Sequence, residues 1–368
     1  MVATKSIKFL VVFVLALTSF TAFAQEDVVE NNLVDSPDEI REYIAHHLKD
    51  SHDFHFFTDN ASGAHYGFPL PVIVWTSNGL KTFMSSAFQH DDNGQVIVDK
   101  DGTQIVKYHT KIYELENGAT ALSFDEEHHP TNASRVIDFS ITKSVFGMLL
   151  TGLLMLLGFG ALARGYKKGK TIPKGFSRVL EPLVIYVRDE IAKPNIGEKK
   201  YRKFMGFLLT VFFFIWILNI LGLTPIGFNV TGQIAVTACL AIFTMVIYMV
   251  SGTKDFWAHT LWMPGVPYIL RPILAVIELV GFVIIKPFSL LVRLFANITA
   301  GHFVVMSLMA LMITMKAAFG PVASTGMSLV LSIFIMFIEL LVAFLQAFIF
   351  TMLSSLFIGM AVEEHDEH

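Results

Sequence analysis

The residues best suited to moving a charge lie in two apolar stretches near the carboxyl end of the chain. In the first, Arg293 stands within residues 289–297, a run that is otherwise largely apolar. An arginine at the centre of a membrane helix costs about 2.5–3.5 kcal/mol on insertion scales, so such a residue usually faces a cavity or a countercharge. Ser289 and Asn297 lie four residues to either side and share its helical stripe. The pattern favours an ion pathway; the alternative is a structural arginine that reaches the membrane surface.

The second apolar stretch carries a carboxylate. Glu339 lies in it, and Gln346 follows seven residues later on nearly the same helical face. A carboxylate buried in lipid must pair or become protonated. His302 lies nine residues after Arg293 and points to roughly the opposite side of that helix, at about 100° per residue. His302 and Glu339 suit a proton relay, and the alternative is a static hydrogen bond that pins two helices.

The composition places most of the chain in lipid. Of its 368 residues, 54% are hydrophobic and 16% charged, and the mean hydropathy is +0.58. Soluble globular domains rarely reach these values. The net charge is −4, and no basic stretch is interleaved with aromatic residues, so nucleic acid is not an expected partner. A single cysteine, Cys239, excludes an intrachain disulfide and a thiolate metal cluster.

Five apolar blocks predict the membrane helices. They lie at about 141–163, 204–225, 230–250, 270–315 and 327–361. A hydrocarbon core of ~30 Å needs ~20 helical residues, so each of the first three fits one crossing. The last two are too long for one upright crossing, and each is either a hairpin or one strongly tilted helix. The predicted fold is an all-α polytopic membrane protein with about five membrane helices, the last two long and tilted, over a membrane domain at 139–362.

The distribution of lysine and arginine predicts the orientation. Twelve of the 27 lysines and arginines lie between the first two blocks, in the segment 164–203, which the positive-inside rule places in the cytoplasm. Five crossings then put the N-terminus outside and the acidic tail 363–368 inside. Residues 176–192 carry apolar side chains at helical spacing, which predicts an amphipathic helix on the cytoplasmic surface. The expected location is a bacterial cell (inner) membrane, crossed several times.

The chain begins with the pattern of a secretory signal. Two lysines precede an apolar run, and an A-x-A site ends at Ala24, which predicts a signal peptide at 1–24; the alternative is an uncleaved anchor helix. Residues 25–138 are polar and predict an extracytoplasmic α+β extension. Within it, 36–48 favours helix. Residues 95–98 and 104–108 alternate on either side of the turn-rich 99–102, which predicts a β-hairpin.

Three strings in the membrane domain carry a family resemblance. They are KPFSL at 286–290, RLFANITAGH at 293–302 and LQAFIFTML at 345–353. Together they resemble the signature of the a subunit of F-type ATP synthases, and the resemblance covers roughly residues 140–364. It implies that Arg293 is the essential arginine facing the rotor, with Asn297 and Gln346 as polar neighbours. His302 and Glu339 occupy two positions at which that family exchanges histidine and glutamate.

The resemblance also implies function and partners. It implies the stationary subunit of the membrane sector, which provides proton half-channels past a c-ring and is coupled to ATP synthesis. Further implied partners are b-type peripheral stalk subunits, the soluble ATPase sector and membrane lipid. No cofactor or metal is expected, and protons are favoured over sodium as the translocated ion because His302 and Glu339 suit proton transfer. Glu278 corresponds to an acidic residue of the family, although it lies one residue further from Lys286 than in the family's pattern.

Other signals point to weaker alternatives. Residues 99–102 lack the remaining ligands of an EF-hand, so a plain turn is favoured. The acidic and histidine-rich stretches 126–129 and 363–368 could bind a metal, but solvated loops explain them more simply. No phosphate-binding G-x-x-x-x-G-K-[ST] loop occurs in the sequence, so this chain alone is not expected to be an enzyme. The rivals are a secondary transporter or channel, which usually has internal repeats, and a membrane protease, for which H-E-x-x-H is absent.

Overall fold

A computed structural model describes residues 49–58, 65–116, 119, 121–125, 129–167, 177–224, 228–262, 266–315 and 319–363. The predicted signal peptide 1–24, the helix predicted at 36–48 and the tail residues 364–368 lie outside this part. The chain divides into two compact units. A strand unit comprises Met1–Phe146 and Thr224–Phe228, and a helix unit comprises Gly147–Leu223 and Asn229–His368.

The strand unit contains three antiparallel sheets within the described residues. Its strands are β1 (Asp53–Thr58), β2 (His65–Pro69), β3 (Pro71–Thr76), β4 (Gly79–Met84), β5 (Asn93–Lys100), β6 (Thr103–Tyr108), β7 (Lys111–Leu115), β8 (Ala133–Arg135) and β9 (Ile137–Asp138). One sheet pairs β1 with β2, the second has the order β4-β3-β9, and the third has the order β5-β6-β7-β8. Alternate residues of the strands fill one core, where Val72, Val74 and Ile105 have no exposed surface.

The predicted β-hairpin is confirmed by β5 and β6. The two strands pair in antiparallel register up to Lys100 opposite Thr103, so the turn has two residues instead of the four predicted. Those residues, Asp101 and Gly102, have φ of 51° and 77°. Positive φ at both positions is the conformation of a type I′ turn, which matches the right-handed twist of the flanking strands and favours Asp-Gly.

Charged side chains inside the strand unit form ion pairs. Lys107 is 4% exposed, and its Nζ lies 3.0 Å from Asp53 Oδ2. Nε2 of the buried His52 lies 2.7 Å from Asp138 Oδ2. Burial of the Asp138 carboxyl opposes its ionisation, but hydrogen bonds from His52 and Ser140 outweigh it and hold its pKa below the usual range. These pairs link β1 to β6 and the residue before β1 to β9, so charge serves to hold the unit together.

Helices make up the rest of the described chain. They are α1 (Lys143–Lys167), α2 (Ser177–Tyr186), α3 (Lys193–Ile196), α4 (Tyr201–Gly222), α5 (Ile234–Ser251), α6 (Lys254–Leu261), α7 (Arg271–Val280), α8 (Lys286–Thr314) and α9 (Pro321–Val362). Within the described part of the chain, five helical segments are long and apolar enough to cross a membrane: Lys143–Lys167, Tyr201–Gly222, Ile234–Ser251, Arg271–Gly301 and Val322–Val362. This confirms the prediction of a mostly helical, polytopic membrane protein.

The last two apolar blocks form single long helices, so the hairpin alternative is wrong. α9 has 42 residues without a break, which at 1.5 Å per residue is about 63 Å, or twice the hydrocarbon thickness. α7 continues into α8 through a π-helical turn at Gly281–Ile285, with helical dihedrals at both junctions. A helix of this length fits a bilayer only when it is strongly tilted or extends beyond it.

The predicted amphipathic helix is present as α2 and a π-helical turn at Val187–Ala192. Its apolar stripe is covered by protein: Leu180, Val187 and Ile191 are at most 3% exposed and belong to the core of the helix unit. Ser355 of α9 donates a hydrogen bond to the Ile191 carbonyl at 3.0 Å. The segment is therefore fastened to the membrane helices through its own apolar face.

Candidate functional site

The site is built on α8 and α9, which run antiparallel. Gln346 Nε2 on α9 donates to the Arg293 carbonyl on α8 at 2.8 Å. Further along, Ser328 Oγ donates to the Leu308 carbonyl at 2.8 Å. Residue numbers rise along one helix as they fall along the other. The two predicted polar groups Arg293 and Gln346, 53 residues apart in sequence, are thus brought together, and Gln346 contacts the backbone of the arginine.

The side chain of Arg293 is directed away from the core. Arg293 is exposed, whereas Leu290 and Leu294 beside it have no exposed surface and anchor the adjoining face of α8. Ser289, one turn earlier on the same stripe, is exposed as well. Among the described residues, no carboxylate lies within ion-pair distance of the guanidinium. A permanent charge is therefore presented on the outer surface of a long apolar helix.

A pocket opens next to this stripe, between α4, α8 and α9. It has about 320 Å³ of space not filled by protein atoms. Its polar lining residues are Asn219, Asn297 and Glu339, one from each helix, and glycines at 222 and 301 widen it. A cavity that combines amide and carboxylate groups within an otherwise apolar bundle can hold water, because each water needs two to four polar partners.

Glu339 reaches this pocket because α8 has no side chain at Gly301. A Cβ built there would lie 2.8 Å from Glu339 Oε1, closer than side-chain carbons approach. Oε1 is buried and has no hydrogen-bond partner among the described residues. His302 belongs to α8 directly after Gly301, and its side chain lies outside the described part of the structure. The predicted His302–Glu339 pair thus remains a prediction, with the backbone of α8 next to the carboxylate.

The π-helical turn between α7 and α8 has a clear local cause. The Lys286 amide bonds to the Gly281 carbonyl, five residues back, and Pro287 has no N–H to donate. The Phe282 carbonyl is therefore left without its usual backbone donors, and the buried Tyr248 hydroxyl of α5 donates to it instead. This π-turn lies between Glu278 and Lys286, and a π-turn accommodates one extra residue in a helix.

Glu278 and Lys286 form a group distinct from the pocket. Lys286 Nζ lies 3.2 Å from the ring centroid of Phe282 and 5.2 Å from that of Phe357. The half-exposed carboxylate of Glu278 attracts the positive charge of Lys286. Fifteen residues separate Glu278 from Arg293, about 22 Å along the helix. Gly301, at the pocket, lies eight residues on the other side of Arg293, about 12 Å away. The arginine thus lies between two groups of polar residues.

Asn219 is a pocket residue that the sequence analysis missed. It is 1% exposed, its amide donates to the Ala343 carbonyl at 3.4 Å, and its Oδ1 accepts from Thr231 Oγ1 at 3.0 Å. Its signal in the sequence is a lone amide within the apolar run 204–225, the same kind of signal that singled out Arg293. Tyr248 was also missed, because its role depends on a backbone carbonyl of another helix.

These features define a class of protein: a polytopic membrane protein in which long helices enclose a pocket with polar groups, next to an arginine that has no ion-pair partner in the described part of the chain. Comparison with known proteins gives the family. The family model described as ATP synthase A chain matches residues 145–359. The chain belongs to this family, whose members are membrane components of ATP synthase.

Individual relatives have names that agree with this family. The chain is 42% identical over 252 residues to "ATP synthase subunit a 2" of Chlorobaculum tepidum, an alignment that covers 67% of this chain and 70% of the relative. It is 44% identical over 238 residues to "ATP synthase subunit a" of Chlorobium phaeobacteroides, covering 63% and 68%. For the protein of the same name from an Anaeromyxobacter species the identity is 42% over 243 residues, covering 63% and 57%.

A second family model matches the amino-terminal part of the chain. It is described as a domain of unknown function (DUF8433) and covers residues 43–139. The match ends four residues before α1 begins at Lys143. Most of the strand unit thus has a sequence family of its own, separate from the one that covers the membrane helices.

Proposed function

We propose that this chain is the stator a subunit that conducts protons past a rotating c-ring in the Fo sector of ATP synthase. One observation carries the proposal: Arg293 presents on the surface of α8 a charge that no described carboxylate pairs with, next to a pocket lined by Asn219, Asn297 and Glu339. An exposed arginine in lipid is unfavourable unless a countercharge meets it. A carboxyl group on each ring subunit would provide that countercharge.

The arginine acts through its permanent charge. A ring carboxyl is neutral in lipid and ionises only where a cation offsets the cost of desolvation. Arg293 supplies the cation, and because its pKa exceeds ~12 it does not pass a proton on. It therefore attracts the deprotonated ring site while blocking a direct leak from one side of the membrane to the other. The hydrogen bond from Gln346 to the Arg293 carbonyl fixes this part of α8 against α9.

Two access routes follow from the positions of the polar groups. The pocket lined by Asn219, Asn297 and Glu339, with His302 beside it in sequence, supplies the route from the outer side. Glu278 is the candidate for the route on the cytoplasmic side, about 22 Å from Arg293 along the helix. A proton enters by one route, travels on the rotating ring, and leaves by the other. Ring rotation then drives ATP synthesis in the soluble sector, to which b-type stalk subunits hold this chain.

The orientation rests on charge placement. The basic segment 164–203 is assigned to the cytoplasm, and residues 25–138, which follow the predicted signal peptide, to the outer side of a bacterial inner membrane. The pocket then opens outward, because it lies at the end of α4 furthest from this basic segment. Cysteines at Gln95 and Lys168 should react with a membrane-impermeant reagent from opposite sides; labelling from one side only would refute the orientation.

The proposal is tested by Arg293→Ala in the assembled complex. ATP-driven proton pumping into proteoliposomes should fall below detection, because the ring site loses its countercharge, while all subunits remain assembled. Arg293→Lys should fail as well, since a desolvated lysine can lose its proton. Arg164→Ala, at the exposed end of α1, is the matched control and should pump normally. Normal pumping by Arg293→Ala would refute the proposal.

A further inference from the structure

The sheet β4-β3-β9 of the strand unit has two apolar faces. One face, with Val72 and Val74, fills the core. An antiparallel sheet usually presents polar residues on its other face. Here that outer sheet face carries Ile73, Trp75, Leu80, Met84, Ile137 and Phe139. The remaining positions of the face, Pro71 and Thr82, bear no charge either.

The apolar side chains of the outer sheet face form one continuous patch. Trp75 lies directly opposite Leu80 on one side and Ile137 on the other. The Phe139 amide donates to the Ile73 carbonyl at 2.8 Å, which continues the same register. Trp75 and Leu80 are 53% and 54% exposed, and Ile137 and Phe139 are each 61% exposed. Contiguous exposed apolar surface of this kind marks an interaction site.

The position of the patch follows from its connection to the first membrane helix. The Ile141 amide donates to the Pro71 carbonyl at 3.1 Å, so the chain stays on the edge of β3 until two residues before α1. The Lys143 and Ser144 amides, at the start of α1, donate to the Ser51 carbonyl and Asp50 Oδ1 at 2.9 Å. Four residues span at most about 14 Å, so Phe139 is held within that distance of the membrane helix.

We propose that the outer sheet face rests in the interfacial layer of the lipid bilayer. Tryptophan and other aromatic residues concentrate at this depth, where large apolar surfaces bury themselves at the headgroup boundary. The face meets both conditions: it has an exposed Trp75 amid aliphatic residues, and its connection to α1 keeps it at the membrane surface. A face without charged residues loses no ionic hydration on entering this layer. Through this face the strand unit then contacts the lipid surface where the first membrane helix begins.

The test measures what surrounds the face in the complete complex. In a Cys239→Ser background, a nitroxide is attached to a cysteine introduced at Leu80 or Ile137, and the complex is reconstituted in phosphatidylcholine–phosphatidylglycerol vesicles. Collisions with apolar oxygen and with a water-soluble nickel chelate are compared by electron paramagnetic resonance. Gln95, exposed on β5, is the matched control. Normal ATP-driven pumping verifies that each labelled complex is intact.

Three outcomes are distinguishable. The proposal predicts that labels at 80 and 137 collide with oxygen several-fold more, relative to nickel, than the label at 95 does. High nickel accessibility at both sites would place the face in water and overturn the proposal. Low accessibility to both reagents would mean that a protein surface covers the face, which would also overturn it. The result does not depend on proton conduction by Arg293.

Discussion

Charged groups are used in opposite ways in the two units. In the strand unit, Lys107 is buried 3.0 Å from Asp53, and His52 is buried 2.7 Å from Asp138. In the helix unit, Arg293 is exposed and Glu339 keeps a buried oxygen without a hydrogen-bond partner among the described residues. Buried charges that hold a fold together are paired, since an unpaired one is costly. Charges left unpaired in an apolar setting are available for a mobile partner, which in the proposed function is a proton for Glu339 and a ring carboxylate for Arg293.

The two units also differ in the kinds of side chain that they expose and bury. The helix unit exposes many large apolar side chains, such as Leu156 at 76% and Val250 at 81%, and buries polar ones such as Asn219, Thr231 and Gln346. Lipid in place of water as the solvent accounts for that distribution. In the described part of the strand unit, most of the exposed large apolar side chains lie on the sheet face that contains Trp75.

The largest effect is expected for Glu339→Gln. This change keeps the size and part of the hydrogen bonding but removes the titratable proton. Proton flux per assembled complex should fall at least about tenfold, in the range of a lost general acid–base group, with little change in thermal stability. Glu190→Gln, an exposed site near α2, is the matched control for flux.

The double exchange His302→Glu with Glu339→His tests whether these two residues act together. If the two groups act as a pair, the exchange keeps both chemical types and should recover more flux than either single change. Full flux in Glu339→Gln would remove this carboxylate from the proton route. A double exchange no better than the single changes would refute direct pairing with His302.

Lys107→Met should destabilise the strand unit and leave the proton flux unchanged. The Asp53 carboxylate would stay buried without its cation, which costs about 3–5 kcal/mol. Hydrogen–deuterium exchange in the intact complex should show loss of protection in β1 and β6, with proton flux unchanged. Lys111→Met, an exposed lysine on the adjacent strand β7, should leave protection unaffected. If Lys107→Met abolished flux while the strands stayed protected, the division of roles between the two units would be wrong.

A smaller effect is expected for Tyr248→Phe. The change removes the hydroxyl that donates to the Phe282 carbonyl, and no backbone amide is placed to replace it. An unsatisfied buried carbonyl costs about 1–3 kcal/mol. The thermal transition of the complex should shift downward by a few degrees, with flux reduced but still measurable. A transition identical to that of the parent would show that the π-turn does not need this hydroxyl.

The sequence predicted the parts of this molecule that depend on local residue type. Asp-Gly between alternating runs predicted the β5–β6 turn, and a charge within an apolar run made Arg293 and Glu339 candidates for the site, because each signal lies within a few residues. The π-turn between Glu278 and Lys286 was not predicted, because the Tyr248 hydroxyl that completes it comes from a residue more than thirty positions away.

Contacts between residues far apart in the sequence could not be predicted for the same reason. The register that places Gln346 at the Arg293 carbonyl and Glu339 at Gly301 joins helices 38 to 53 residues apart, and no local pattern specifies it. Likewise, β9 has only two residues and is defined by its partner β3, some sixty residues earlier. Its short sequence alone carries no strand signal.

The central claim is that the stripe of α8 containing Arg293 faces the ring. A photo-crosslinking amino acid at Ser289, which is exposed one turn before Arg293, tests it most directly in the membrane-embedded complex. Leu156 on α1, 76% exposed, serves as the control position. The account predicts that irradiation joins position 289 to the ring subunit and that position 156 gives no such product. Crosslinking of position 289 to lipid or stalk subunits alone, with the ring present, would contradict it.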